Sequence, residues 1–293
     1  MFNKFKSYKN KVAIYDESQN LSFNKLLIET NKIKKKINKR SLILLISENS
    51  IGTIISYIFC LLNNHVLIII DSKSSEKNIK NILSKYKPDY IFCSLRYTKY
   101  IKKNFEKIFD FYNNFLFKNK IRVKKKLNKN LCVLLSTSGS MNSNKFVKLS
   151  KKNIKSNTLS IIKYLKLKSN DSAISSLPIS YSYMLSVINS HLQVGGSIAV
   201  TSTSIVQKKF WSFYKKSKCT SFNGVPYNYE ILSKVGLNNL KIKSLKYITQ
   251  AGGKLEKKFN LELIKFCNKN KLKLFTMYGQ TEASPRISYL PPN

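Results

Sequence analysis

Between an apolar run and a single lysine, the segment Leu135-Ser136-Thr137-Ser138-Gly139-Ser140-Met141-Asn142-Ser143-Asn144-Lys145 packs hydroxyl and small residues together. Backbone N–H groups and hydroxyls in such a loop can surround phosphate oxygens while Lys145 supplies positive charge. The preceding Leu131-Cys132-Val133-Leu134-Leu135 reads as a buried strand, so the loop leaves a strand end, where ligand crevices of α/β sheets lie. A polar surface loop is the plainer reading of the same residues. Two further segments bear on that choice. Leu272 to Met277 reads as a strand followed at once by Tyr278-Gly279-Gln280-Thr281-Glu282, which sets an aromatic plane, a hydroxyl and a carboxylate at one strand end. Tyr247 to Gln250 reads as another strand, and the Gly252-Gly253 pair after it lets a ligand lie against bare backbone. Taken alone, Tyr278 would read as a strand-end aromatic capping the core.

In that order and at similar spacing, the three segments resemble the adenylate-forming superfamily of acyl-CoA synthetases, adenylation domains of nonribosomal peptide synthetases, and luciferases. Those enzymes carry a Thr-Ser-Gly-Thr-Thr-Gly-x-Pro-Lys-Gly loop, a Gly-Gly turn facing adenine and a Tyr-Gly-x-Thr-Glu segment. The likeness extends along the chain. Val12-Ala13-Ile14 with Leu21 to Leu26 is similar to the family's opening hairpin and first helix. Leu177 to Tyr181, His191-Leu192 with Gly195-Gly196-Ser197, and Phe222-Asn223-Gly224-Val225-Pro226 resemble its carboxylate-pocket segments.

The resemblance implies ATP-dependent activation of a small carboxylic acid, with transfer of the acyl group to coenzyme A or a carrier phosphopantetheine. It implies that Thr137, Ser138, Gly139, Ser140 and Lys145 hold the triphosphate, that Gly252 and Gly253 face adenine, and that Tyr278, beside Gly279, stacks on it. It further implies that Thr281 reaches the α-phosphate, that Glu282 holds Mg²⁺, and that Tyr181, Gly224, Val225 and Pro226 shape the acid pocket. Tyr181 and Tyr183 read equally as packing residues, and His191, on an apolar helix, reads as a core histidine. The loop departs from the family pattern at Met141, Asn142, Asn144 and Phe146. Asn142 tolerates the left-handed backbone that glycine would take. Phe146, where the family has glycine, argues against close approach of a ligand there unless it packs inward.

The chain stops at Asn293, eleven residues after Glu282. The resemblance therefore implies an N-terminal core without the family's C-terminal barrel and small domain, impaired or inactive alone. An alternative is a non-catalytic or split nucleotide-binding subunit whose C-terminal half comes from a separate chain.

Fifty-three basic residues against 14 acidic ones give a formal net charge of +39 over 293 residues. Such charge favours polyanions or anionic membrane surfaces, and a basic polyanion-binding protein is the remote alternative. Only Arg40, Arg96, Arg122 and Arg286 are arginines, however, and the lysines are scattered. Arginine makes the bidentate base contacts of selective readers, so no specific nucleic-acid site is expected. The five cysteines are odd in number and widely spaced, which reads as reduced core residues rather than a disulfide frame or zinc site. The N-terminus lacks a signal-peptide apolar stretch, and the chain reads as cytoplasmic. Polar residues at Glu48, Asn49, Asn63, Asn64 and His65 divide Ser41 to Ile70 into runs too short to span a bilayer.

The elements that must position these residues alternate. Leu42 to Ile46 and Val66 to Ile70 read as strands, with Ile51 to Leu62 as the helix between them and Asp71 closing the unit. Lys87-Pro88-Asp89 marks entry to a strand over Asp89 to Cys93. Lys99 to Lys129 shows no clean periodicity and reads as a helix and connector. Helices are expected over Lys151 to Leu165, Ser182 to Leu192, Gln207 to Lys216, from Tyr229, and over Glu256 to Cys267. The expected fold is α/β, with two stacked doubly wound sheets, mixed or parallel, and flanking helices. Residues 1–125 are expected to form the first sheet, and 126–293 the second with the nucleotide motifs.

Overall fold

The computed structural model describes residues 2, 4–101, 104–121, 123–137 and 145–292. In chain order come β1 (Val12–Tyr15), β2 (Asn20–Ser22), α1 (Phe23–Lys34), β3 (Leu42–Ser47), α2 (Ile51–Leu62), β4 (Val66–Asp71), α3 (Glu76–Tyr86), β5 (Tyr90–Cys93), α4 (Thr98–Ile101), β6 (Phe105–Phe111), β7 (Asn114–Asn119) and β8 (Leu131–Leu135). Then follow β9 (Val147–Ser150), α5 (Lys151–Leu165), β10 (Ser172–Ile174), α6 (Ser182–Gln193), β11 (Ser197–Ala199), α7 (Lys208–Ser217), β12 (Ser221–Gly224), α8 (Pro226–Val235), β13 (Tyr247–Gln250), α9 (Lys257–Lys269), β14 (Lys273–Gly279) and β15 (Arg286–Leu290).

Unbroken aliphatic runs make β3 and β4 strands that need cover on both faces. They pair in parallel from Leu42 opposite Val66 to Ser47 opposite Asp71. Alternate residues serve different cores: Ile43 and Leu45 face the inner helices, whereas Leu42, Leu44 and Ile46 join Ile79 and Ile82 of α3. Among the described residues this sheet has seven strands in the order β6-β7-β5-β3-β4-β8-β9. A second sheet has eight, in the order β15-β14-β13-β12-β10-β11-β1-β2. Each is parallel through its middle and antiparallel at both edges. Helices α1, α2, α5 and α6 share the core between the sheets, and α7, α8 and α9 cover the far face of the second. The result is a layered α/β fold whose inner helix α2 is apolar nearly all round. Residues Ile51 through Leu61 of α2 are all buried, and among the described residues no helix is long and apolar enough to cross a membrane.

Two expectations need correction. Residues 105–119, within the stretch read as helix and connector, form the β6–β7 hairpin at the edge of the first sheet. A register shift between Lys107 and Phe109 breaks the alternation that would have marked a strand. The turn is Tyr112-Asn113, both at positive φ (46° and 57°), rather than the Asn-Gly pair that signals such turns. The division of strands at residue 125 also fails in both directions. β1 and β2 belong to the second sheet, and β8 and β9, which flank the serine-rich loop, belong to the first.

The two layers are pinned by polar residues. Asn49, just after β3, donates from Nδ2 to the carbonyls of Ser175 and Leu177 and accepts from the Ile179 N–H at 2.9 Å. At the end of β4, Asp71 accepts from Ser180 Oγ at 2.7 Å. These ties fix the chain that enters α6, and Tyr181 with it.

Candidate functional site

Three of the segments singled out by sequence converge. One cleft of about 150 Å³ is lined by Thr137 after β8, Tyr181, Ser182 and Tyr183 at the start of α6, Ala251 and Gly252 after β13, and Tyr278 to Glu282 at and beyond the end of β14; Pro285 and Arg286 close it. The parallel strands that supply Thr137, Gly252 and Tyr278 all end here, which is where open α/β sheets form ligand crevices. Ser138, Gly139 and Ser140, with the departures at Met141, Asn142 and Asn144, lie outside the described residues.

Each part of the cleft has a local cause. Gly252 sits at φ +83°, and a Cβ there would stand 2.7 Å from the Tyr181 hydroxyl and 3.0 Å from Val225 Cγ1. The turn is held by Gln250 Nε2 donating to the Gly253 carbonyl at 2.8 Å. Gly253 is exposed and packs over Pro226 rather than lining the cleft. Gly224, Val225 and Pro226 lie behind this turn. Gly224 is buried against the Tyr229 ring, and Pro226 opens α8, where Asn228 Oδ1 accepts from the Val225 N–H at 2.8 Å. Gly279 is needed by the chain itself, because a Cβ would come 2.1 Å from the Pro285 carbonyl oxygen as the strand turns back.

Tyr278 is 63% exposed, so it does not cap the core. Its ring lies open at the cleft. Thr281 is buried, with its Oγ1 3.1 Å from Ser182 Oγ. Glu282 is exposed and enters no ion pair among the described residues. Lys145 is exposed, just ahead of β9, and does not line the cleft. Phe146 packs inward, edge-on to Tyr86 with ring centroids 5.4 Å apart.

Below the cleft runs a polar network that the sequence did not reveal. Tyr183 is buried, and its hydroxyl reaches Thr249 Oγ1 at 2.6 Å and the Thr249 carbonyl at 3.0 Å. Thr249 Oγ1 donates to Asn223 Oδ1 at 2.7 Å, and Tyr229 OH donates to the Thr249 carbonyl at 2.7 Å. Burial pushes the phenols of Tyr183 and Tyr229 well above the usual tyrosine range, which keeps them neutral donors. His191 is a core residue: its Nδ1 lies 2.9 Å from the Val187 carbonyl and its Nε2 3.3 Å from Tyr247 OH. Burial lowers its pKa to about 4. All five cysteines are buried as free thiols.

Sequence reasoning also passed over Ser182, Ala251, Gln280, Pro285 and Arg286. One signal was present for Arg286, since arginine is the exception in a chain where lysine fills nearly every basic position.

The chemistry of this set suits an adenine nucleotide. A bare glycine backbone and an open aromatic ring can take a planar base. A hydroxyl and a carboxylate beside them could serve a phosphate and a hard cation bound with it.

The family model described as AMP-binding enzyme matches residues 1–293. No curated protein matches the chain by sequence. Similar solved structures include a long-chain-fatty-acid-CoA ligase from Archaeoglobus fulgidus, with a TM-score of 0.81 at 17% identity, over 99% of this chain and 66% of that one. The N-terminal subdomain of Klebsiella oxytoca NpsA, solved with 3-hydroxyanthranilyl-AMSN, has a TM-score of 0.78 at 16% identity, over 99% and 74%. The o-succinylbenzoate CoA synthetase of Bacillus subtilis, solved with its acyl-adenylate, has a TM-score of 0.72 at 17% identity, over 97% and 58%. At these identities the likeness is one of fold.

Proposed function

The chain belongs to the AMP-binding enzyme family, and from that premise we propose that it activates a small carboxylic acid with ATP to form an acyl-adenylate. The acyl group then passes to a thiol, that of coenzyme A or of a carrier phosphopantetheine. The observation that carries this reading is the meeting of Thr137, Gly252, Tyr278, Thr281 and Glu282 from separate strand ends in one cleft.

In this reading a carboxylate oxygen attacks the α-phosphorus while the bond from that phosphorus to the bridging oxygen of pyrophosphate breaks. The attacking acid is already ionised near neutrality, so the chain has to position groups and neutralise charge rather than supply a base. Tyr278 stacks on adenine, and the Gly252-Gly253 turn, backed by Val225 and Pro226, lets the base lie against backbone. Thr281 Oγ1, oriented by Ser182, donates to the α-phosphate. Thr137, Ser138, Gly139, Ser140 and Lys145 take the triphosphate. Glu282 holds Mg²⁺, which offsets phosphate charge. Tyr181 and the Gly224 to Pro226 segment shape the acid pocket. ATP and coenzyme A are both cytoplasmic substrates, which favours that compartment.

In a second reading the chain binds nucleotide and catalysis needs a partner chain; separately, the chain spans 58 to 77% of the solved chains it resembles. Carboxylate-dependent exchange of labelled pyrophosphate into ATP tests the first reading. Exchange by the purified chain, reduced about 10²-fold or more in Thr281→Val, is the expected outcome. Nucleotide binding without exchange for any acid, restored by a partner chain, would favour the second reading. Folded protein with neither binding nor exchange would overturn both.

A further inference from the structure

Arg286 opens β15 and is buried, with 8% of its surface exposed. A guanidinium so placed ordinarily faces a carboxylate, because an uncompensated buried charge is expensive. Here the guanidinium's contacts among the described residues are to neutral groups. Nε donates to Ser186 Oγ at 3.0 Å, and Nη1 donates to Tyr164 OH at 2.9 Å and approaches Met277 Sδ at 3.5 Å. The guanidinium carbon lies 4.9 Å from the Tyr183 ring centroid. No ion pair among the described residues includes Arg286, although all 14 acidic residues are described. None of these hydrogen bonds uses Nη2. The residue lines the same cleft as Thr281 and Glu282, and so does Tyr183, on which the guanidinium rests.

A buried cation held in place by two hydroxyls and a ring, with donor capacity unspent and a substrate cleft beside it, is prepared for an anion that arrives with the ligand. Thr281 and Glu282 already serve the phosphate end in the reading above. We propose that Arg286 is a specificity-determining residue that receives a second carboxylate on the acid being activated, so that the substrate class is dicarboxylic acids. The proposal rests on the adenylate-forming reading of the cleft. One carboxylate is placed toward the α-phosphate, and the other meets the guanidinium fork, which suits carboxylate geometry as a lysine ammonium would not.

The test uses unreactive N-acyl sulfamoyladenosines bearing succinyl, glutaryl, adipoyl or isophthaloyl groups, each paired with the analogue whose free carboxylate is a primary amide. Binding is measured by calorimetry on the whole chain, with sulfamoyladenosine itself as the nucleotide-only control. At least one acid should bind about tenfold or more tighter than its amide, the scale of a desolvated charge pair. Arg286→Met should bring that ratio close to one, read against sulfamoyladenosine binding by the same variant. Arg286→Lys, which keeps the charge and loses the fork, should retain only part of the preference, and it serves if the methionine variant does not fold. A clip that merely holds β15 to α5 and α6 would alter stability without moving the ratio. Ratios near one for all four pairs in the unaltered chain, with the control still binding, would overturn the dicarboxylate proposal alone. A ratio that survives Arg286→Met would overturn the assignment to Arg286. Failure of the control to bind would overturn the nucleotide reading and this proposal with it.

Discussion

The interiors of the two sheets are built from opposite materials. In the first, β3 and β4 bury Leu, Ile and Val almost without interruption. In the second, the ends of β12 and β13 bury Asn223, Thr249 and Gln250, joined to Tyr183 and Tyr229. Aliphatic burial gives stability without direction, whereas hydrogen-bonded burial fixes atoms in space and is costly when any member is unpaired. The first sheet is therefore a frame, and the second sheet's strand ends are a floor that positions the cleft above it. Thr137 is the exception that joins them, since it follows β8 of the frame and lines the cleft above the floor.

This contrast can be broken by acid, by cavities and by loss of single hydroxyls. Each region buries one histidine, His65 beside the frame and His191 beside the floor, and burial lowers each pKa from 6.5 to about 4. Between those values the unfolded chain binds more protons than the folded one, so stability falls as pH drops from about 6.5 to 4. Each residue contributes about 3 kcal/mol to the loss. Burial alone would raise the Asp171 pKa, but hydrogen bonds from Lys246 and the Lys168 N–H lower it, and its contribution is lost below the ordinary aspartate range. Denaturant titrations across this range should show the decline, and replacing one histidine with asparagine should remove about half of it. A flat profile would contradict the burial argument.

Next in size is Ile68→Ala in β4, a fully buried site. It should cost about 2–5 kcal/mol by denaturant midpoint and leave nucleotide affinity of the folded protein unchanged, as befits a frame. Thr249→Val should cost less, about 1–3 kcal/mol, by leaving Asn223 Oδ1 without its donor while Tyr183 keeps only the Thr249 carbonyl as its partner. Unlike the frame variant, it should also weaken ligand binding, because Tyr183 lines the cleft. If the two variants affected binding alike, the distinction between frame and floor would fail.

Much of this was legible. Aliphatic runs disclosed β3 and β4, and α5 matches its expected span because Ser150 caps it and its apolar spacing is regular. Thr137, Gly252, Tyr278, Thr281 and Glu282 were legible as motif residues because their types announce their chemistry. The β6–β7 hairpin was hidden by its register shift and its Tyr-Asn turn. Tyr183 stayed ambiguous because the chain is rich in aromatics, and only a contact with Thr249, 66 residues away, separates it from packing. Arg286 stands in the sequence as one of only four arginines, and nothing local shows that its neighbours are neutral.

In the proposed function these strand ends make one adenine-nucleotide cleft. Calorimetric titration of AMP into the chain and into Tyr278→Ala tests it most directly, because a side chain 63% exposed contributes little to folding. Binding by the unaltered chain and a loss of about tenfold in the variant, the scale of one base–aromatic stack, are expected, with thermal stability unchanged. Equal affinity in both proteins, or no binding by the folded chain at millimolar AMP, would contradict it.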